Sequence, residues 1–242
     1  MTPLILRPEP QASELARLLR QAGHQPQLCP LLQIVPGRDL PALPELLRSH
    51  DLLIAISAHA VEQADLWLQQ QAKSWPRIPT FAVGSATAAS WQACHIDAIT
   101  PVDARSEGLL ALPELMTVQG RRVLILRGDG GREFLAEQLR QRGAEVHYGE
   151  CYQRQWPELD GPALCTQWRT VGVDSVIISS GEILRRLLQL IPDQDRHWLD
   201  SLQIIVPSHR VATLVAEAGL PAARVAQGAT HAAMVAALGK RN

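Results

Sequence analysis

The sequence predicts an α/β protein of two similar domains, each built on a parallel β-sheet with helices on both faces. Three features of the 242 residues indicate this class. Short apolar runs alternate with amphipathic helical stretches, which is the pattern of parallel sheets with crossover helices. The runs are apolar throughout, as expected of strands covered on both faces. The chain also repeats itself in its second half.

The repeat is clearest at the start of each half. Residues 4–23 return as residues 124–143, beginning with the same tetrapeptide Leu-Ile-Leu-Arg, and ten of the twenty positions are identical. Residues 51–57 and 174–180 form a second pair of apolar runs that begin with aspartate and end in serine. Solenoid repeats are about 20–50 residues long, so this spacing indicates two domains, and paired domains often bind a ligand between them.

Each strand and helix of the first half is predicted by a pattern in its own residues. The strands are apolar runs, and the helices are stretches where apolar residues recur every three or four positions. The first helix places Leu15 and Leu19 on one face and ends at Gly23, a common stop signal. The predicted strands are residues 3–7, 27–35, 52–56 and 80–83, and the predicted helices are residues 13–22, 41–48, 59–71, 85–94 and 106–115.

The second half continues the alternation. Its predicted strands are residues 122–126, 145–152, 175–179, 203–206 and 223–226. Its predicted helices are one ending at Gly143 and those over residues 162–169, 182–191, 208–218 and 230–238. The stretches 27–35 and 146–156 carry proline or polar residues near their ends, so we expect the chain to cross between domains there.

Composition excludes several classes of protein. The formal net charge of −1 disfavours a nucleic-acid surface, and no apolar run reaches the roughly 18 residues of a membrane span. The first residues do not resemble a signal peptide, so we expect a cytoplasmic protein. The eight histidines form no metal-binding pattern. The four cysteines, which also form no C-x-x-C pair, are Cys29, Cys94, Cys151 and Cys165.

The candidate binding residues lie just past the predicted strands, where ligands bind in open α/β sheets. They are arginines and small hydroxyl residues, namely Arg7, Ser57, Ser85, Thr87, Arg127, Arg132, Ser180, Ser208 and Arg210. Helix N-termini have unpaired N–H groups and a partial positive charge, so they bind carboxylates and phosphates. Each serine is also a favourable N-cap, and that ordinary role remains an alternative for each of them.

No motif marks a nucleophile or a nucleotide site. The glycine-rich loop at residues 128–131 lacks the lysine and the serine or threonine of a P-loop, and its glycines suit a tight turn. There is no G-x-S-x-G elbow, and Ser208 and His209 diverge as helix neighbours. The only tyrosines are Tyr148 and Tyr152, and both lie on the predicted strand over residues 145–152. Tyr152 lies near the expected crossing, where it either faces a ligand or is a half-buried structural residue.

Several short motifs occur in a fixed order along essentially the whole chain. They are Leu6-Arg7-Pro8, Ile56-Ser57 after Asp51, Val83-Gly84-Ser85-Ala86-Thr87-Ala88, Leu126-Arg127-Gly128 with Gly131-Arg132, Cys151-Tyr152-Gln153-Arg154, Ile178-Ser179-Ser180-Gly181 and Val206-Pro207-Ser208-His209-Arg210-Val211-Ala212. Each motif is short, but the ordered set resembles the uroporphyrinogen-III synthase family.

The resemblance implies a cofactor-free cytosolic enzyme of tetrapyrrole (heme) synthesis that converts linear hydroxymethylbilane into cyclic uroporphyrinogen III. Loss of the terminal hydroxyl as water leaves an azafulvene cation. The substituted carbon of ring D attacks this cation to give a spiro-pyrrolenine, which fragments and recloses with ring D inverted. The free bilane closes without inversion, so such an enzyme must fold its substrate and needs no strong nucleophile.

The resemblance also implies roles for particular residues. The family's near-invariant tyrosine matches Tyr152, which would assist departure of the hydroxyl as a weak acid or hydrogen-bond donor. Hydroxyl residues of the family match Ser57, Thr87 and Ser180. The eight carboxylates of the substrate suit loops that carry N–H groups, hydroxyls and arginines. This chain departs from the family at Pro207-Ser208-His209-Arg210, where many members have a glycine and threonines.

The family fold implies two flavodoxin-like doubly wound domains joined by a two-stranded linker ladder. Residues 36–150 would form the inserted domain, and residues 1–35 with 151–242 the discontinuous one. Each domain would then combine an early and a late copy of the repeat. We expect a monomer with no nucleic-acid or membrane partner. The main alternative is a non-catalytic two-domain module that binds a small molecule, and a phosphate-ester enzyme is a weaker one.

Overall fold

The computed structural model describes residues 1–131 and 133–239. The strands are β1 (Pro3–Ile5), β2 (Gln27–Leu28), β3 (Gln33–Pro36), β4 (Leu52–Ala55), β5 (Thr80–Ala82), β6 (Arg122–Gly128), β7 (Glu145–Gln155), β8 (Ser175–Ile177), β9 (Gln203–Val206) and β10 (Arg224–Val225). The α-helices are α1 (Gln11–Gln21), α2 (Leu43–Ser49), α3 (Ala58–Gln70), α4 (Ser85–Ala93), α5 (Ser106–Leu110), α6 (Pro113–Met116), α7 (Phe134–Gln141), α8 (Gly161–Thr170), α9 (Gly181–Leu190), α10 (His209–Glu217) and α11 (His231–Leu238).

The chain divides into two compact units. Unit 1 contains Met1–Gln33 and the chain from Gln155 onward, and unit 2 contains Ile34–Arg154. The sheet of unit 1 has the order β10-β9-β8-β1-β2, and the sheet of unit 2 has the order β3-β7-β6-β4-β5. Strand pairs with a described register are parallel in both sheets. The predicted α/β class is therefore confirmed.

The sequence repeat corresponds to equivalent strand positions in the two sheets. β1 lies between β8 and β2, and β6 lies between β4 and β7. Leu4 of β1 is opposite Val176 of β8, while Leu53 of β4 is opposite Leu124 of β6. Each sheet therefore combines one early and one late copy of the repeat. A simple tandem of two half-chains is excluded by this pairing.

The structure differs from the sequence expectation at three segments. The strand expected over residues 27–35 is divided into β2 and β3, which belong to different sheets. The helix expected over residues 106–115 is divided into α5 and α6. Leu112 is extended because the following Pro113 disfavours a helical conformation at the residue before it, and proline then begins the next helix. A 3-10 helix at Asp193–Ser201 was not expected, and it buries Trp198 and Leu199.

The sheet of unit 2 is apolar on both faces, as its sequence predicts. Leu53 and Ala55 of β4 point into one buried cluster, which includes residues of α2, α3 and α4. Leu52 and Ile54 point into the other, which includes residues of α5, α6 and α7. Successive side chains of a strand alternate between faces, so both helical layers are anchored to the same strands. This double anchoring fixes the strand ends that carry the candidate site.

Two histidines, His50 and His147, contact each other at the amino-terminal edge of this sheet. The buried His50 ring donates from Nδ1 to the Leu46 carbonyl, and its Nε2 accepts from His147 Nδ1 at 3.0 Å. Burial, more than the neighbouring His147 and Arg122 charges, lowers the pKa of His50. The folded state therefore disfavours the imidazolium.

We expect the free energy of unfolding to fall as the pH drops below about 6.5, the reference value for the unfolded chain. The sign follows because the unfolded chain then binds more protons than the folded one. Urea unfolding between pH 7.5 and 5.5 measures this loss. His50→Asn should lose less stability over that range than the wild-type chain. An equal loss in both would show that His50 is not the group responsible.

Candidate functional site

Several candidate residues of unit 2 lie at the carboxyl ends of its strands. Ser57 follows β4, Arg127 is near the end of β6, Tyr152 is near the end of β7, and Ser85 begins α4 after β5. These ends meet at one edge because the strands are parallel. At this edge the Ser57 hydroxyl lies 3.2 Å from the Tyr152 phenol oxygen, within hydrogen-bond distance.

An irregularity in β7 turns Tyr152 toward this position. Tyr148 packs on the α5–α7 face of the sheet, and simple alternation would place Tyr152 on that face too. The register of β6 against β7 instead shifts immediately before Gly128, which lies opposite Tyr152. Tyr152 therefore packs on the α2–α4 face, together with Cys151. Bulges often re-aim side chains in this way beside active sites.

Gly128 and Ser57 hold the Tyr152 ring. A Cβ on Gly128 would lie 2.5 Å from Tyr152 Cζ, so the ring occupies space that only glycine leaves open. Ser57 is the N-cap residue of α3, but its hydroxyl makes no capping bond to that helix. The ordinary capping role therefore does not account for Ser57, whose hydroxyl is directed to the phenol instead.

His59, Glu62 and Ser90 extend this group and were not predicted from the sequence. The His59 ring meets the Tyr152 ring edge to face, with centroids 5.7 Å apart. His59 Nδ1 lies 3.0 Å from Glu62 Oε2, and Ser90 Oγ donates to Glu62 Oε1 at 3.3 Å. The bond from His59 lowers the pKa of Glu62, against the opposing effect of burial. The signal in the sequence was a histidine and a glutamate three residues apart at the start of a helix.

Arg127 has partners within its own unit. Its side chain is buried, and it donates to Glu133 Oε1 at 2.8 Å while its guanidinium stacks on the Tyr148 ring at 4.1 Å. The hydrogen bonds from Tyr148 and Arg127 lower the pKa of Glu133. A substrate carboxylate would therefore have to share Arg127 with Glu133. Binding by Arg127 stays a prediction.

The remaining candidates of unit 2 differ in exposure. Ser85 is exposed as the first residue of α4, whose N-cap is Gly84, so Ser85 is not itself an N-cap. Thr87 is buried in the first turn of the same helix. The geometry therefore favours Ser85 over Thr87 for contact with a ligand. Arg132 lies outside the described residues.

The candidates of unit 1 also lie at strand ends. Ser180 caps α9 by accepting from the Ile183 N–H at 3.3 Å, which is the ordinary structural role. Ser208 is the N-cap residue of α10 without such a bond, and Arg210 is exposed in the first turn of that helix. Arg7 has a buried NH1 group without a hydrogen-bond partner. Burial lowers the pKa of Arg7, and the nearby Glu14 opposes that shift.

The buried guanidinium nitrogen of Arg7 fits an anionic ligand, because an unpaired polar group costs free energy when it is desolvated.

Within residues 1–131 and 133–239, no group of three His, Cys, Asp or Glu side chains is placed to hold a metal ion. No helix in those ranges is long and apolar enough to cross a membrane. Fold and site together define an α/β protein of two parallel-sheet units whose strand ends are suited to binding and orienting an anionic small molecule.

Comparison with known proteins places the chain within this class. Residues 13–236 match the family model described as "Uroporphyrinogen-III synthase HemD". The uroporphyrinogen-III synthases of Salmonella typhimurium and Escherichia coli are each 42% identical over 245 aligned positions, which cover 98% of this chain and 100% of each relative. The chain belongs to the uroporphyrinogen-III synthase family, as its motifs predict.

Solved structures support the fold. A uroporphyrinogen-III synthetase from Helicobacter pylori has a TM-score of 0.58 at 16% identity, covering 97% of this chain and 96% of that one. A mutant uroporphyrinogen III synthase from Thermus thermophilus has a TM-score of 0.55 at 15% identity, covering 91% and 90%. At these identities the likeness concerns the fold alone.

Proposed function

We propose that this chain converts hydroxymethylbilane into uroporphyrinogen III, with Tyr152 at the reacting end of the substrate. Members of its family are cyclising lyases of tetrapyrrole biosynthesis. The observation that carries the proposal is the position of the Tyr152 phenol. A register shift directs it, Gly128 makes room for its ring, and its oxygen lies 3.2 Å from the Ser57 hydroxyl.

The reaction requires stabilisation of the leaving oxygen and correct positioning of the rest of the bilane. The terminal hydroxyl of the bilane leaves as water, and a hydrogen bond to that oxygen stabilises the charge that develops on it. The Tyr152 phenol supplies this bond, with Ser57 holding the phenol in one orientation. Holding ring D near the resulting cation then favours attack by its substituted carbon, since effective concentration accelerates ring closure.

The carboxylates of the bilane are bound by groups at the strand ends. In this proposal Arg7, Ser208 and Arg210 of unit 1 and Ser85 of unit 2 contact them. The unpaired nitrogen of Arg7 and the hydroxyl of Ser208, free of a capping bond, support these roles. Each hydrogen bond to a charged group contributes roughly 1.5–3 kcal/mol, so a few contacts suffice for tight binding.

The proposal also includes the domain bounds and the setting. Residues 36–150 form one domain, and residues 1–35 with 151–242 form the other. The division of the chain near residues 33–34 and 154–155 supports these bounds. The enzyme acts as a cytoplasmic monomer that needs no cofactor, nucleic acid or membrane.

A multiple-turnover assay tests the function against the alternative of a binding module. With hydroxymethylbilane in tenfold or greater excess over protein, we expect the bilane to be consumed many times faster than it closes unaided. A binding module would at most sequester one bilane per chain. Consumption no faster than in buffer would contradict the proposal.

Removing the Ser57 hydroxyl should lower the turnover rate only modestly. We expect Ser57→Ala to lower kcat by about 2- to 10-fold, because one neutral hydrogen bond contributes roughly 0.5–1.5 kcal/mol. The helix should remain intact, since Ser57 makes no capping bond. Ser180→Ala is the matched control, because that hydroxyl does cap α9, and it should lower stability. A wild-type kcat in Ser57→Ala would show that the Ser57 bond does not orient Tyr152.

A further inference from the structure

His59 and Glu62 form a pair at the start of α3 with the arrangement of a proton donor and its orienting carboxylate. A carboxylate only accepts hydrogen bonds, so the contact between His59 Nδ1 and Glu62 Oε2 at 3.0 Å places a hydrogen on Nδ1. The other ring nitrogen, Nε2, is left as the atom that exchanges a proton. Glu62 is itself fixed by Ser90 of α4, which donates to its second oxygen.

The pair lies beside the proposed reacting end of the substrate. His59 is two residues after Ser57, and its ring meets the Tyr152 ring edge to face. Among residues 1–131 and 133–239, the titratable groups in contact with His59 are Glu62 from its own helix and Tyr152 from β7. The His59 side chain is 26% exposed, so its ring is accessible from solvent.

We propose that His59 is the acid that protonates the departing hydroxyl of the bilane, an inference that rests on the proposed function. The carbon–oxygen bond breaks and its electron pair goes to oxygen, which takes the Nε2 proton of the imidazolium and leaves as water. The pyrrole nitrogen lone pair forms the new double bond of the azafulvene cation. After ring D recloses, the proton lost on restoring the pyrrole returns to Nε2, so the enzyme ends unchanged.

The division of labour with Tyr152 follows from acid strength. In model peptides an imidazolium is about 3.5 pKa units more acidic than a phenol, so it transfers a proton to a leaving hydroxyl far more readily near neutral pH. In this assignment Tyr152 donates a hydrogen bond to the same oxygen, and His59 supplies the proton.

A purely structural explanation predicts something different. A histidine and a glutamate three residues apart can be a surface ion pair of the helix, with a small effect on stability. In that case its removal would alter unfolding and leave the pH dependence of turnover unchanged. The test therefore follows the pH dependence of isomer III formation, which unaided closure does not contribute to.

We expect His59→Gln to lower kcat by about 10- to 100-fold, with KM within about threefold of wild type. In the wild-type enzyme, kcat should fall as rising pH removes the imidazolium proton, and His59→Gln should lack that fall. Glu62→Gln should lower kcat by a smaller factor than His59→Gln, because the ring then loses the carboxylate that accepts from Nδ1 and fixes its orientation. His197→Gln, which removes a histidine from a 3-10 helix of unit 1, is the control and should match wild type.

Two results would overturn the assignment. One is a wild-type kcat in His59→Gln. The other is a lower kcat whose fall with rising pH is retained, since that would indicate a structural effect. A wild-type chain that makes no isomer III would instead contradict the proposed function itself, so the two failures are distinguishable.

Discussion

Tyr152→Phe is expected to lower kcat by about 10- to 100-fold while leaving the protein folded. The substitution removes one hydrogen bond to the departing oxygen, and bonds to charged groups contribute roughly 1.5–3 kcal/mol. The phenylalanine ring still fits against Gly128 and His59, so packing is retained. Turnover is not abolished because folding the bilane and protonation by His59 both persist. Steady-state kinetics with hydroxymethylbilane measure the loss.

Tyr148→Phe is the matched control, because it makes the same chemical change on the same strand. The Tyr148 hydroxyl donates to Glu133 on the other face of the sheet. We expect kcat to stay within about twofold of wild type and stability to fall slightly. If Tyr152→Phe had wild-type turnover, Tyr152 would have no part in the chemistry. Equal losses in both variants would point to the strand rather than to the Tyr152 phenol.

Gly37→Ala is expected to destabilise unit 2 by about 3–5 kcal/mol. Gly37 is buried, and it donates to the Cys151 carbonyl at 2.9 Å. An added Cβ would lie 1.9 Å from the Glu150 carbonyl oxygen and 2.5 Å from the Tyr152 nitrogen. These are backbone atoms that cannot rotate away, so β7 would have to shift at the residue that carries the candidate phenol. Kcat should therefore fall together with stability.

Urea unfolding at pH 7.5 checks this effect against Gly149→Ala. The Cβ added at Gly149, in the same strand β7, would lie 3.1 Å from Leu126 Cδ2, a side-chain end that can move. We expect a clearly smaller loss of stability there. Comparable losses of stability in the two variants would show that the close approach of Gly37 to the β7 backbone does not exclude a side chain at residue 37.

The strands and helices were largely predictable because each depends on the pattern of apolar and polar residues within its own segment. Apolar runs such as residues 52–56 and helices that end in glycine were found near their predicted positions. The order of strands was not a local property, since the repeat alone suggested two half-chains in tandem. Only the pairing of β1 with β8 and of β4 with β6 shows which copies share a sheet. The family resemblance supplied that information before the structure did.

The candidate site was predictable only in part. Position after a strand identified Ser57 and Tyr152, but not that they contact each other. That contact depends on the register shift before Gly128. No residue pattern in β7 predicts this shift. Nor did position separate Ser57, with no capping bond, from Ser180, which caps its helix. His59 was missed because its contact with Tyr152 joins α3 to β7, two elements far apart along the chain.

The central claim is that this chain steers closure of the bilane with inversion of ring D. Isomer-resolved chromatography of the product made from hydroxymethylbilane tests it most directly, with unaided closure in buffer as the reference. We expect uroporphyrinogen III to replace isomer I as the main product, and the proportion of isomer III to fall in Tyr152→Phe as unaided closure competes. Isomer I alone, formed at the rate seen in buffer, would contradict the claim.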